Sequence, residues 1–247
     1  MLNVDIQDYE EKNLALKEKI DAFKPFSSTQ FKNLQAWFRV SFTAHSNALE
    51  GNSFTQEEVK VLIEDGITVW WKTIRELRET QNLADLTHII WDFFEKDLIL
   101  DEKIIFELHK KLLTGIEKEN LWTYREVQVF ISWSDEKLPR SKDVLWLMAD
   151  FFAMANTDTI NTLEKVAKIH YDFVKIHPFV DGNGRLARLI MNLYLVKNGF
   201  LPIIFPVVTR LEYIKSLWKE KTFSDFYTYF LWQLHENLSD YLRFFED

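Results

Sequence analysis

Residues 162–199 read TLEKVAKIHYDFVKI (162–176), HPFVDGNGRLAR (177–188) and LIMNLYLVKNG (189–199). In the first part Leu163, Val166, Ala167, His170, Phe173 and Val174 recur at helical spacing, while Lys165, Lys168, Asp172 and Lys175 lie off that face. This is the pattern of a buried amphipathic helix. Residues 185–198 form a second helical stretch, with Gly199 placed as its C′ residue and Pro202 just beyond. The middle part is therefore a loop between two helices, and its second half opens the second helix. His170, on the apolar face, reads as a structural histidine.

The loop concentrates unlike chemistries. Two of the chain's 6 glycines, Gly182 and Gly184, sit here. Without a Cβ, glycine permits positive φ and a close approach to backbone amides. Gly182, Asn183 and Gly184 precede a helix N-terminus, where amides and the helix dipole attract an anion. Arg185 and Arg188 are three apart, so both project from one face of the first turn and can clasp phosphate oxygens. Asp181 beside phosphates makes sense as the holder of a bridging Mg²⁺. His177 at the other end can take a proton from an attacking hydroxyl. Pro178 and Phe179 fix the turn and anchor it. A lone GxG, a lone histidine or two helical arginines would each have a bland explanation. Their joint occurrence within twelve residues points to a phosphate-ligand site. It is neither a Walker A loop, lacking GxxxxGK[ST], nor a dinucleotide fingerprint, lacking GxGxxG and a preceding strand.

Working outward, 6 Gly and 5 Pro in 247 residues predict long helices and short loops. Phe31, Leu34, Phe38, Phe42, His45 and Leu49 mark a helix over about 31–50, with Ser28 or Thr29 as N-cap and Gly51 as its stop. Thr55 and Glu58 form a capping box for the next helix. Residues 71–97, 101–113 (N-cap Asp101) and 142–156 are further helical stretches. The segment 124–133, YREVQVFISW, differs: Val127, Val129 and Ile131 alternate with Gln128 and Phe130, as in a strand. Residues 124–139 are accordingly expected to form a β-hairpin flap. The Trp70–Trp71 pair is expected in the core. The organisation expected is an N-terminal helical region (1–100), a core with flap and loop (101–220) and a C-terminal helix packed on it (221–247).

Composition narrows the function classes. The 47% hydrophobic content, with 21 Phe and 9 Trp, supports a sizeable core. A formal net charge of −8 disfavours general nucleic-acid binding and adhesion to anionic membranes. The absence of cysteine excludes disulfides, thiolate metal sites and a cysteine nucleophile. Neither a secretory leader nor a membrane span is legible, so the expectation is a cytoplasmic protein.

The loop matches HPFx[DE]GNGRxxR, the signature of the Fic family, at every specified position. The resemblance extends over roughly residues 30–220. It implies an all-α Fic fold, a helical bundle with a β-hairpin flap. It also implies an enzyme that transfers AMP from ATP to a Ser, Thr or Tyr hydroxyl of a target protein. By the same resemblance His177 is the general base, Asp181 holds Mg²⁺, Gly182, Asn183 and Gly184 cradle phosphates, and Arg185 and Arg188 contact the β- and γ-phosphates. Tyr213, in RLEYIKSL, falls where an aromatic lines the adenine pocket. Flap residues Val127, Gln128, Val129, Phe130 and Ile131 would hold an extended target segment by strand addition, and the chain itself is among the targets this allows.

Residues 46–52, SNALEGN, resemble the family's inhibitory motif [ST]xxxE[GN], with Ser46, Glu50 and Gly51 in place. Ser46 and Glu50 share a helix face, and Glu50 sits at a C-terminus, where the dipole is mildly unfavourable to a carboxylate. The resemblance implies that Glu50 pairs with Arg188 and blocks productive ATP binding, from an N-terminal helix of the same chain. Two alternatives stand beside this reading: removal of AMP, with Glu50 positioning water, and a non-catalytic nucleotide-responsive interaction module. The target and the oligomeric state are not legible.

Overall fold

A computed structural model describes residues 5–92, 99–116, 123–131, 136–157, 161–218 and 221–246. Its centre is the helix that the loop opens, α9 (Asn183–Lys197). Nearly all of its residues are buried, as befits a helix enclosed on every side. α8 (Thr162–Ile176) runs into the loop and packs along α9. Around this pair lie α2 (Ser28–Leu49), α5 (His88–Asp92) and α6 (Glu102–Leu113). α7 (Val144–Ala155) backs α8. α10 (Arg210–Leu217) and the long α11 (Phe223–Glu246) close the other side, and α1 (Ile6–Asp21) lies along α11. α3 (Gln56–Asp65) and α4 (Ile74–Leu86) pack on α2, with Val40, Ala44, Phe54, Val59 and Leu62 forming a small second core.

Local chemistry explains where the elements begin. Ser27 caps α2 in a capping box with Gln30, one residue before the predicted Ser28 or Thr29. Thr55 with Glu58 starts α3 and Asp101 starts α6, both as expected. The predicted helix 71–97 begins later, at Ile74, because Thr73 caps it with Glu76; it breaks at Thr87, and residues 93–97 lie outside the described residues. Gly199 takes φ +77° behind α9, as its place beyond the helix requires.

Two expectations are corrected. The β-hairpin flap at 124–139 is not seen: no strand occurs among its described residues, and 132–135 lie outside them. The Arg125 guanidinium donates to the carbonyls of Val127 (3.2 Å), Pro139 (2.6 Å) and His177 (2.8 Å), so it bridges the two limbs in place of a backbone ladder. Gln128 reaches the Leu138 carbonyl at 3.4 Å. Ile131 is buried and Val129 half-buried, but Val127 and Phe130 stand in solvent, Phe130 with 84% exposure. The Trp70–Trp71 pair is not core either. It lies on the loop between α3 and α4, 89% and 60% exposed, the two rings edge to face on one another. Among the described residues no helix is long and apolar enough to cross a membrane.

Candidate active site

The loop begins at His177, which ends α8 with φ 52°, ψ 60°. It is the one non-glycine residue with positive φ among those described. Such a conformation costs on the order of 1–3 kcal/mol and needs external support. Support comes from both sides: its N–H donates to the Phe173 carbonyl (3.0 Å) and its carbonyl accepts from Arg125 Nε (2.8 Å). The ring Nδ1 lies 3.3 Å from the Val174 carbonyl. A carbonyl can only accept, so Nδ1 carries the proton and Nε2 keeps the lone pair. Burial, aided by the Arg125 charge, lowers the His177 pKa, against opposing pulls from the Val174 carbonyl, Glu50 and Asp181. The imidazole is therefore neutral near pH 7 and fit to accept a proton.

Phe179 is buried and stacks on His109, ring centroids 3.7 Å apart. Asn183 closes the turn: its Oδ1 accepts from the Phe179 N–H and its Nδ2 donates to the Phe179 carbonyl, both at 2.9 Å. Its side chain is thus committed to the loop's shape, and what it can offer an anion is its backbone N–H. Gly182 sits at the N-cap with φ +82°, and a Cβ there would press on Leu112 at 3.1 Å. At Gly184 a Cβ would run into the Glu50 carboxylate, which lies directly over the first turn of α9.

Three charged loop residues converge on partners from the N-terminal helices. Arg188, 1% exposed, donates to Ser46 Oγ (2.9 Å), the Ser46 carbonyl (2.9 Å), Glu50 Oε1 (2.7 Å) and the Tyr213 hydroxyl (3.3 Å). Burial alone would lower its pKa, but Tyr213 and Glu50 more than offset that and raise it. Gly51, at φ +97°, ends the helix that brings Ser46 and Glu50 here. Arg185, also buried, contacts Asp181 (3.1 Å) and Glu79 (3.5 Å), while its Nε finds no partner. Asp181 Oδ1 accepts from the Gly182 N–H (2.6 Å) and Arg185, and Oδ2 accepts from Arg75 at 2.6 Å. The Asp181 carbonyl accepts from His109 Nε2 at 3.1 Å.

Sequence reasoning missed four of these residues. Arg75, Glu79 and His109 fell within expected helical stretches with no role of their own, and Arg125 within the expected strand. No local signal distinguishes them, because each acts across a long sequence separation. Tyr213 was expected to line an adenine pocket. It lies beside Arg188, its ring against those of Phe205 and Tyr229, and its hydroxyl contacts His170 Nε2 at 3.0 Å. His170 is fully buried and stacked on Phe226, in keeping with a structural role.

The arrangement offers a neutral base, a glycine turn with helix amides, two buried guanidiniums and the loop's own carboxylate, Asp181, with Glu50 and Glu79 set against the arginines. Among the described residues no cluster of three His, Cys, Asp or Glu side chains could hold a metal ion unaided. Mg²⁺ usually takes one or two carboxylates and completes its shell with phosphate and water oxygens. The half-exposed Asp181 carboxylate beside a phosphate cradle fits that pattern.

Comparison with known proteins agrees with the motif. The model of the Fic/DOC family matches residues 99–195. "Protein adenylyltransferase fic-1" of Caenorhabditis elegans is 31% identical over 199 residues, covering 77% of this chain and 38% of that protein. "Protein adenylyltransferase Fic" of Nematostella vectensis is 33% identical over 187 residues, covering 74% of this chain and 43% of that protein. The chain thus spans less than half the length of these relatives. Among solved structures, a Fic domain containing signaling protein from Bacteroides thetaiotaomicron superposes with a TM-score of 0.86 at 22% identity, covering 95% of this chain and 98% of that one. That likeness establishes the all-α fold.

Proposed function

The chain carries a Fic/DOC-family domain over residues 99–195, and from that premise we propose that it is a protein adenylyltransferase held in check by its own Glu50. The hydroxyl of a target side chain attacks the α-phosphorus of ATP. The new P–O bond forms as the bond to the β-phosphate oxygen breaks, and pyrophosphate leaves. His177 Nε2 takes the hydroxyl proton. The amides of Gly182, Asn183 and Gly184 and the α9 dipole stabilise the phosphates, with Arg185 on the β-phosphate side and Arg188 reserved for the γ-phosphate. Asp181 would hold Mg²⁺, which when bound neutralises phosphate charge. The exposed edge at Val127, Gln128 and Phe130 would receive an extended target segment by strand addition.

The observation that carries this reading is the Arg188–Glu50 contact at 2.7 Å. A buried arginine aimed at a phosphate site has its charge spent on a carboxylate of α2's C-terminus. With Arg188 occupied, ATP would bind without its γ-phosphate fixed, and the α-phosphorus would not line up with the hydroxyl.

The test uses ATP labelled at the α-phosphate with wild type, Glu50→Gly and His177→Ala. Label transferred to protein should rise in Glu50→Gly and fall by about 10²–10⁴-fold in His177→Ala. Equal labelling in wild type and Glu50→Gly would remove the brake from the proposal. Label untouched in His177→Ala would remove the base.

One feature favours a second reading. Glu50 lies near enough to His177 to act on its pKa, so the same carboxylate could orient a water against an AMP-modified protein. In that case Glu50→Gly abolishes release of AMP from a pre-modified target, the opposite sign.

A further inference from the structure

Glu50 is not the sole residue from the N-terminal helices that engages the loop. Arg75, near the start of α4, donates to Asp181 Oδ2 at 2.6 Å and to Glu79 Oε1 at 3.1 Å. Glu79 in turn lies 3.5 Å from Arg185, whose other guanidinium nitrogen is 3.1 Å from Asp181. The four side chains close a ring of alternating charge: Arg75, Asp181, Arg185, Glu79. Three of its members are held by their surroundings. Arg185 is buried, Glu79 is mostly covered, and Asp181 Oδ1 is tied to the Gly182 N–H. Arg75, held by Asp181 and Glu79, is the most exposed of the four, with 54% of its side chain in solvent.

Asp181 has a limited number of lone pairs to give. Oδ1 already accepts two donors, so Oδ2 is the oxygen open to a cation; the Arg75 guanidinium sits against it at 2.6 Å, and a divalent ion there would meet that positive charge. We propose that Arg75 is the counter-ion that a divalent metal must displace from Asp181, so that this arginine sets the metal affinity of the nucleotide site. The inference rests on reading Asp181 as the cation's carboxylate. Displacement leaves Arg75 tethered at Nε by Glu79. Its charge then stays at the mouth of the site, beside the polyphosphate that arrives with the metal. Arg75 acts through Asp181 and is a positioning residue. Because an exposed guanidinium contributes only modestly to a carboxylate's energy in water, the competition is graded rather than absolute.

The experiment measures binding of Mn²⁺ by electron paramagnetic resonance, with saturating α,β-methylene ATP, which cannot be cleaved at the reacting bond. Four proteins are compared: wild type, Arg75→Gln, Arg75→Lys and Asp181→Asn. Thermal melting checks that each is folded; Arg75 is exposed enough for its replacement to be tolerated. Arg75→Gln should bind Mn²⁺ about three- to tenfold more tightly than wild type. Arg75→Lys, which keeps the charge but loses the planar fork, should fall between them. Asp181→Asn should lose most of the protein's contribution. An Arg75→Gln affinity equal to or weaker than wild type, with Asp181→Asn still impaired, would overturn the role of Arg75 alone. Unchanged Mn²⁺ affinity in Asp181→Asn would instead overturn the assignment of Asp181, and the inference with it.

Discussion

The protons around Arg188 can be assigned one by one. Arginine only donates, so the Tyr213 hydroxyl accepts from it at 3.3 Å and donates its own O–H to His170 Nε2 at 3.0 Å. His170 is thereby neutral with its proton on Nδ1, an atom that has no partner. The catalytic histidine candidate is set differently. Burial is the largest influence on His177 and lowers its pKa, while the nearby Glu50 charge raises it. Removing that charge should therefore lower the pKa further. We expect the His177 ring resonances, followed by NMR, to titrate at lower pH in Glu50→Gln than in wild type. An unchanged or higher midpoint would mean that Glu50 does not act on His177 through its charge. A second expectation concerns Gly182. Its φ of +82° costs a residue with a Cβ on the order of 1–2 kcal/mol, before any contact with Leu112. Gly182→Ala should lower stability by at least that amount in denaturant titration, and a neutral result would argue against this turn. The helix–loop–helix layout and the glycine turn at Gly182 were legible from this short stretch because their signals lie close together in sequence. The Asn183–Phe179 bridge was not, since an asparagine beside two glycines reads equally well as an anion ligand.

Among the elements, α4 carries more consequence than its charged sequence suggests. Thr73 Oγ1 accepts from the Glu76 N–H at 3.1 Å. Glu76 answers by accepting from the Thr73 N–H at 3.1 Å and from the Ser53 N–H at 3.0 Å. The Ser53 side chain is the first influence on the Glu76 carboxyl, followed against burial by Thr73 and the Ser53 N–H, and together they hold its pKa at about 2. The cap thus joins the start of α4 to the turn that follows Glu50, and it fixes the helix from which Arg75 and Glu79 reach the loop. Thr73→Ala should cost about 1 kcal/mol, or roughly 2–4 °C in Tm for a chain of this size. Calorimetry of wild type against Thr73→Ala reads this directly; no change would mean that the cap is replaced by water. Caps of this kind are local, which is why the starts of α3 and α6 could be read from Thr55 and Asp101. The flap could not. Alternating Val127, Val129 and Ile131 describe a chain able to act as a strand, but a strand needs a partner. Arg125 has taken the facing carbonyls, so the edge stays irregular.

At the scale of the molecule, burial of imidazoles couples the fold to pH. His45, His170 and His177 all have pKa values lowered by burial from the ordinary 6.5. Below that value the unfolded chain takes up protons that the folded one refuses, so the contribution of these groups is full above pH 6.5 and is lost as pH falls through and below it. The loss runs down to each group's folded pKa, furthest for His170, which is fully buried and lies in the field of Arg188. Each such histidine contributes a slope of up to about 1.4 kcal/mol per pH unit in that window. The position of His170 makes this more than a property of the core. Protonating it would reverse the hydrogen bond from Tyr213 and set a second cation in the field of Arg188. Acid should therefore loosen the contact between α9 and the Glu50 helix as it destabilises the whole. Urea denaturation at pH 7.5, 6.5 and 5.5 should show stability falling with pH, and His170→Phe should have the shallower dependence. Equal slopes in the two proteins would place the proton uptake elsewhere. The sequence marked His170 as a core histidine from its place on an apolar face. It could not show the chain from His170 through Tyr213 and Arg188 to Glu50, because those residues come from four helix regions and meet only once α9 is enclosed.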